Sequence, residues 1–478
     1  MHPLLVVTVS LVLCACAAST GGQRASHVER RERLERGLRA AVAVKGRPQV
    51  RRSLTDRMAE WHVPGVSVAV VDEGRVAWAQ GYGQTGDGGP VSVETKFQAA
   101  SISKPVAAMV ALRLVELGTL SLDADVNTQL KRWKVPASEA ARGEPVTLRR
   151  LLSHTAGLTV HGFPGYAVGA PVPSLVQLLD GVKPANTAAV RVDLEPGTRY
   201  RYSGGGYEVM QLLVEDVTGE PFERVAQRLV LGPLGMAHST FEQPLPAAAL
   251  ATASAGHDDK GAIIPGKRHT YPERTAAGLW TTPSDLALVI LEIQKPGRVL
   301  RRDTVDTMLT PMLQDYGLGF GVNTENGTRS FGHGGSNEGF RCQLHGHRDR
   351  PTGAVVMTNA EQGGRLTGDL LRAIASEYGW PDMQGREVTL VEVPVDTLRS
   401  YEGRYQLGGE TGEVTINDGR LTMRIAGGPA IALDPIGHDT FVQLENRLPE
   451  LTFTRNAKGE LQLSGGGITA VRQAKRAP

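Results

Sequence analysis

The run SISKPVAAMVALRLVELG, Ser101 to Gly118, opens with a hydroxyl and an amine three residues apart and continues almost unbroken in apolar residues to a glycine. Positions three apart share a helix face, so Ser101 and Lys104 can meet within one turn. A serine hydroxyl is a weak nucleophile until a base takes its proton. A lysine desolvated against neighbours such as Val106 and Met109 is neutral enough to be that base. The helix start adds a free Ser101 N–H and a positive dipole end, both suited to a developing oxyanion. Pro105 disfavours the α region at Lys104, which predicts an irregular first turn. Standing alone, the same four residues also read as a serine cap before a buried helix with a snorkelling lysine.

Around this helix lies a chain of 478 residues, 41% hydrophobic and 21% charged, a globular composition too long for one ordinary domain. With 52 Lys and Arg against 50 Asp and Glu the net charge is +2 and no long run of one sign occurs, so nothing points to a nucleic-acid partner. PGVSVAVVDEGRVAWAQGYG (64–83) alternates apolar residues on both sides of Asp72-Glu73-Gly74, a β-hairpin signature. Upstream, LERGLRAAVAV and SLTDRMAEWH carry helical spacing in an Arg-rich lead. Residues 127 to 300 read as helix and loop, after which GFRCQLHGHRD and GAVVMTNA return to strand character. This order predicts an α/β fold of the α+β kind: a sheet built from both ends of the first domain, flanked by helices, with an inserted helical subdomain. From residue 386 onward, pieces such as GEVTINDGRLTMRIAGG between Asp-Gly and Lys-Gly turns predict a small all-β, barrel-like module. The expected division is a leader at 1–19, a main domain at 30–385 and the β module at 386–478.

The leader reading rests on the apolar run Leu4 to Leu13, too short to span a bilayer and followed by small residues, as in a signal peptide. Leu13-Cys14-Ala15-Cys16 resembles a bacterial lipobox, although Cys14 departs from the residue type preferred there. Two outcomes stay open: lipidation of Cys16, giving membrane attachment, or ordinary cleavage near Ala17 or Ala18. Either leaves Cys342 as the one internal cysteine, so no internal disulfide is expected, and a periplasmic or membrane-anchored location rests on the leader alone.

Five phrases follow one another along the chain: Ser101-Ile102-Ser103-Lys104, LLSHTAGL (151–158), EPGTRYRYSGGGY (195–207), AGLWTTPSDLA (277–287) and FGHGGSNEGF (331–340). In that order, with GPLGMAHSTF (232–241), they resemble the serine β-lactamase-related hydrolases. The nearer likeness is to the group of class C β-lactamases, D-alanyl-D-alanine carboxypeptidases, D-aminopeptidases and esterases. The resemblance covers roughly residues 50 to 380 and implies the transpeptidase-like fold. It makes Ser101 the acylated nucleophile, Lys104 its partner and Tyr202 the tyrosine that relays a proton once nearby positive charge lowers its pKa. His333-Gly334-Gly335 takes the place of the third motif on a strand edging the site, where small residues leave room for a substrate backbone. His333 is then expected to hydrogen-bond Tyr202 or to face a substrate carboxylate. The second oxyanion donor would be the backbone N–H of Ser336, beside Gly335.

Two departures bear on substrate. Tyr202-Ser203-Gly204 lacks the asparagine of the group's Tyr-x-Asn motif, which weakens a β-lactamase or peptidase reading and favours esters or small amides. His333 in place of lysine removes a fixed positive charge at neutral pH unless its pKa is raised. His154 is expected to be a structural loop residue. His345 and His347 alternate on a predicted strand with no third ligand nearby in sequence, so no metal is assigned, and acylation itself requires no cofactor. HGGSNEG is no α/β-hydrolase elbow, because Glu338 stands where G-x-S-x-G needs its last glycine. A silent relative that binds peptide or cell-wall ligands without being acylated is the competing expectation. Tyr401-Glu402-Gly403-Arg404-Tyr405 opens the β module in the manner of the lipocalin-like barrels appended to some of the group, where such modules restrict the active site or join subunits; a stabilising appendage is the plainer expectation for this one. Oligomeric state is open, and the expected partner is a small-molecule, peptide or ester substrate.

Overall fold

A computed structural model describes residues 25–473 except 408–409, 426–429, 445–449 and 467, so the leader with Cys16 lies outside the described residues. The central sheet uses β1 (Gly65–Asp72), β2 (Arg75–Gly83), β3 (Gly321–Glu325), β4 (Thr328–Asn337), β5 (Phe340–His347) and β6 (Gly353–Thr358). Its order is β2-β1-β6-β5-β4-β3, antiparallel throughout. The β1–β2 hairpin turns at Glu73 and Gly74, both at positive φ (53° and 73°), the type I′ geometry that matches strand twist.

Period-two patterning splits the sheet between two cores. Val66, Val68, Val70, Ala354 and Val356 face one side, packed with Leu34, Leu366, Leu370 and Ile374 of two helices, α1 (His27–Arg36) near the start and Gly363–Tyr378 near the end of the domain. Ala69, Val71, Val355 and Met357 face the other side, against α2 (Ser103–Glu116), α3 (Gly204–Thr218) and α4 (Pro283–Gln294). Gly363–Tyr378 is α5 in this order. All of α2 and α3 falls within the long insertion between β2 and β3, as the order of elements predicted.

Helix α2 is buried on nearly every side from Ser103 to Leu112, which explains its all-apolar sequence, and it stops at Gly118, whose φ is +73°. The irregularity expected from Pro105 falls one turn earlier. Ala100–Ile102 is a 3₁₀ turn, and Lys104 is regular α-helix, with Pro105 in the first turn, where a missing N–H costs nothing. The N-terminal lead also differs from expectation: LERGLRAAVAV is helix only to Arg36, Gly37 ends it, and Val42–Val44 pairs in parallel with Arg386–Val388.

The C-terminal residues form an eight-stranded antiparallel meander from Gly403–Leu407 to Ile468–Val471, nearly closed where Gln473 N–H donates to the Arg404 carbonyl at 2.7 Å. Tyr401 stacks on Phe453 with centroids 4.3 Å apart, and Tyr405 and Phe441 complete the aromatic interior. Among the described residues no helix is long and apolar enough to cross a membrane.

Candidate functional site

The turn before Ser101 is tightly held. Ala99 N–H donates to Leu279 O at 2.8 Å, Ile102 N–H to Ala99 O at 3.0 Å, and the Ser103 hydroxyl to Ala100 O at 2.5 Å. Between them Ala100 takes φ +49°, a left-handed conformation that costs an alanine roughly 1 kcal/mol and that this surrounding structure enforces.

Lys104 reaches back from α2. Its Nζ donates to Ser101 Oγ at 3.0 Å and to Ala276 O at 2.9 Å, and the lysine is 2% exposed. Burial pulls its pKa down to about 7, with Glu208 pulling the other way. Glu208 is itself buried and pushed up to about 8; its Oε1 accepts from the Thr275 hydroxyl at 2.8 Å and Ala276 N–H at 3.0 Å. Glu208 on α3 therefore fixes the segment whose carbonyl holds Lys104, a role that no sequence motif signalled.

Tyr202 precedes the Ser203 cap of α3, shares a hydrogen bond with Ser101 and lies with its ring 4.8 Å from Lys104 Nζ. Contrary to the expected lowering, burial raises the Tyr202 pKa and the Ser101 hydrogen bond only partly offsets it, so the phenol is neutral. His154 packs on Tyr202 at 4.2 Å between centroids and also touches Tyr200, Tyr207 and Tyr316. Its carbonyl accepts from Arg201 N–H at 2.8 Å and its Nδ1 from Ser203 N–H at 3.1 Å. His154 is thus structural, as expected, but what it structures is the backbone on both sides of Tyr202.

His333 does not pair with Tyr202. Its Nδ1–H donates to the Gly334 carbonyl at 2.6 Å, and its Nε2 accepts from the Tyr316 hydroxyl at 3.1 Å, while its ring centroid stays 6.1 Å from that of Tyr202. Burial and then the nearby Lys104 charge lower its pKa to about 4, so the ring is neutral at pH 7 and supplies no fixed charge. Tyr316, on a loop, was invisible as a partner because only the tertiary fold brings it to β4.

Strand β3 begins at Gly321, opposite Gly332, so among the described residues the Gly334–Ser336 stretch of β4 has no strand partner on that side. The space at Gly335 is taken by this chain's own backbone and not by room for a substrate: a Cβ there would sit 2.2 Å from Ala99 O. That close approach sets Ser336 beside the Ser101 turn. Ser101, Tyr202, Gly334, Gly335 and Ser336 line one cavity of about 780 Å³ with Phe163 and Met383. A Cβ at Gly204 would meet the Phe163 ring at 2.8 Å, so an aromatic wall stands where the second motif would carry an asparagine. The described residues lining this cavity run from Ser101 to Met383, none from the β module.

The sequence model of the family described as Beta-lactamase matches residues 50–378. The chain belongs to that family. Among curated relatives of this Beta-lactamase family member, penicillin-binding protein 4 of Amycolatopsis lactamdurans is 32% identical over 186 residues, 39% of this chain and 46% of that protein. The chain spans less than half the length of the curated relatives it matches. Among solved structures, the octameric penicillin-binding protein homologue from Pyrococcus abyssi has a TM-score of 0.59 at 22% identity, covering 88% of this chain and 98% of that one. EstCE1, a hydrolase with promiscuous acyltransferase activity, has a TM-score of 0.57 at 23% identity over 67% of this chain and 96% of its own. Both likenesses are of fold. The Beta-lactamase family match ends before the β module begins.

Proposed function

We propose that this chain is a serine hydrolase that cleaves an ester or amide bond through an acyl-enzyme on Ser101. The observation that carries the reading is the 3.0 Å contact from a buried Lys104, its pKa lowered to about 7, to the Ser101 hydroxyl. Neutral Lys104 takes the Ser101 proton as Oγ attacks the carbonyl carbon, and the backbone N–H groups of Ser101 and Ser336 receive the oxyanion. Tyr202, neutral and bonded to Ser101, passes its proton to the leaving group and regains one from the Lys104 ammonium, so that the lysine, neutral again, deprotonates the water that releases the acid. His333 acts on the hydroxyl of Tyr316 and not on a substrate carboxylate.

Phe163 at the second motif and the uncharged His333 favour small apolar acyl groups, as in simple esters and amides, over carboxylate-bearing β-lactams. Export, with the protein free in the periplasm or anchored through a lipid on Cys16, belongs to the same proposal and rests on the Leu4–Leu13 run. The test is intact-mass spectrometry of the full chain with a nitrophenyl ester and with a reactive penicillin, beside Ser101→Ala. An acyl adduct on the wild type alone supports the reading. Failure of both reagents to acylate Ser101 or be turned over leaves a binding protein instead.

A further inference from the structure

On β5 the alternate residues His345 and His347 share one face, and the chain leaving α5 returns Asp382 to them. His345 Nε2 lies 3.0 Å from one Asp382 carboxylate oxygen and His347 Nε2 2.8 Å from the other, and the three donor atoms fall within 4.8 Å of one another. All three side chains are buried: 10%, 0% and 2% exposed. No third ligand was expected nearby in sequence, and none is there: the third donor stands 35 residues further on, where no sequence spacing announces it. Among the described residues it is the one such grouping of histidine, cysteine and carboxylate.

We propose that His345, His347 and Asp382 form a binding site for a divalent transition cation of the zinc class. Two imidazoles and a carboxylate are a borderline nitrogen and oxygen set that suits zinc and excludes calcium or magnesium as the preferred guest. With bonds of about 2.0–2.1 Å, ligand atoms in a tetrahedral site stand ~3.3 Å apart, so the 2.8 and 3.0 Å contacts, each to a different carboxylate oxygen, open slightly on binding while the widest separation, within 4.8 Å, closes toward that spacing. Water takes the remaining position.

The surrounding groups hold the donors in place with or without the ion. His347 Nδ1 meets the Thr352 hydroxyl at 2.8 Å and the Thr352 carbonyl at 3.3 Å. Without metal, Nε2–H donates to Asp382. With metal, the Nε2 lone pair would bind the ion and an Nδ1–H would donate to Thr352, the outer-shell bond that orients the ring. Gln294 of α4 clamps the loop, its Nε2 sharing two protons among the carbonyls of His347 at 3.0 Å, Arg350 at 3.1 Å and Thr352 at 2.8 Å. Trp380 stacks on His345 at 5.7 Å and meets His347 edge-on at 4.9 Å, fixing both ring planes. Met383, the residue after Asp382, lines the Ser101 cavity, so the ion would anchor one wall of it from behind.

The test is calorimetric titration of chelator-treated full-length protein with Zn²⁺, together with His347→Ala and Asp382→Asn. Expected are one equivalent bound, a melting temperature raised by several degrees in excess Zn²⁺, and at least a tenfold weaker affinity in each variant. X-ray absorption of the zinc-loaded wild type, which needs no variant to fold, should show two imidazoles in the first coordination shell. Absence of saturable binding, binding unchanged in folded variants, or a shell with fewer than two imidazoles would overturn the proposal.

Discussion

His154 and Tyr202 lie ring on ring at 4.2 Å, and the same histidine accepts the backbone N–H groups of Arg201 and Ser203 that bracket the tyrosine. The phenol is aimed at Ser101 by a residue that does not itself reach the cavity lining. His154→Phe keeps the ring but leaves the Ser203 N–H unpaired, at a cost of about 1–3 kcal/mol. Acylation of Ser101 should slow by roughly tenfold or more while circular dichroism stays native. A folded variant that acylates at the wild-type rate would remove His154 from this role.

Lys104 sets the pH dependence. With its pKa near 7 the neutral base is lost as pH falls, so the acylation rate should drop along a limb centred near pH 7 and level off above it. Lys104→Ala should lower the rate by about 10²–10⁴ with Ser101 intact. Stopped-flow acylation by a chromogenic ester from pH 5 to 9 reads both.

The buried pair behind the nucleophile should mark stability with opposite signs. Lys104 falls from 10.5 unfolded to about 7 folded, so the unfolded chain binds the extra proton between those values. Its destabilisation is full below pH 7 and vanishes above 10.5. Lys104→Met should therefore raise the melting temperature more at pH 6 than at pH 9. Glu208 rises from 4.5 to about 8, so the folded chain holds the extra proton and stability is lost as pH climbs through that window. Glu208→Gln, which keeps the acceptor for Thr275 and Ala276, should gain most at pH 9. Each effect is on the order of 2–4 kcal/mol at its favourable end, and calorimetry at pH 6 and 9 would refute the assignment by showing both variants shifted alike.

Gly335 is where β4 touches the Ser101 turn. Gly335→Ala places a methyl 2.2 Å from Ala99 O and must push the two apart, costing roughly 1–3 kcal/mol and most of the acylation rate. Gly334→Ala meets only the movable end of Gln343 at 3.0 Å and should be nearly neutral for stability. Equal losses in the two variants would contradict the close packing.

Local pattern determined much of this protein. Alternation around Glu73-Gly74 specified the β1–β2 hairpin, the apolar run after Lys104 specified a buried helix, and short strands between Asp-Gly turns specified the β module. Each is a contest between neighbouring residues, settled within a few positions. The likeness of five ordered phrases brought Ser101, Lys104 and Tyr202 to one another before any coordinate was known.

Tertiary structure decided what local pattern leaves open. Whether Tyr202 is raised or lowered depends on how much water the surrounding rings exclude, and burial won over the hydrogen bond with Ser101. Whether His333 meets Tyr202 or Tyr316 depends on a loop arriving from outside the motif. The Glu208 brace behind Lys104, and Asp382 between two histidines, join residues 172 or fewer positions apart that no periodicity relates. Desolvation and long-range contact are properties of the packed interior. A sequence names the groups that can make them, and the fold alone sets which groups lose their water and which partners they find.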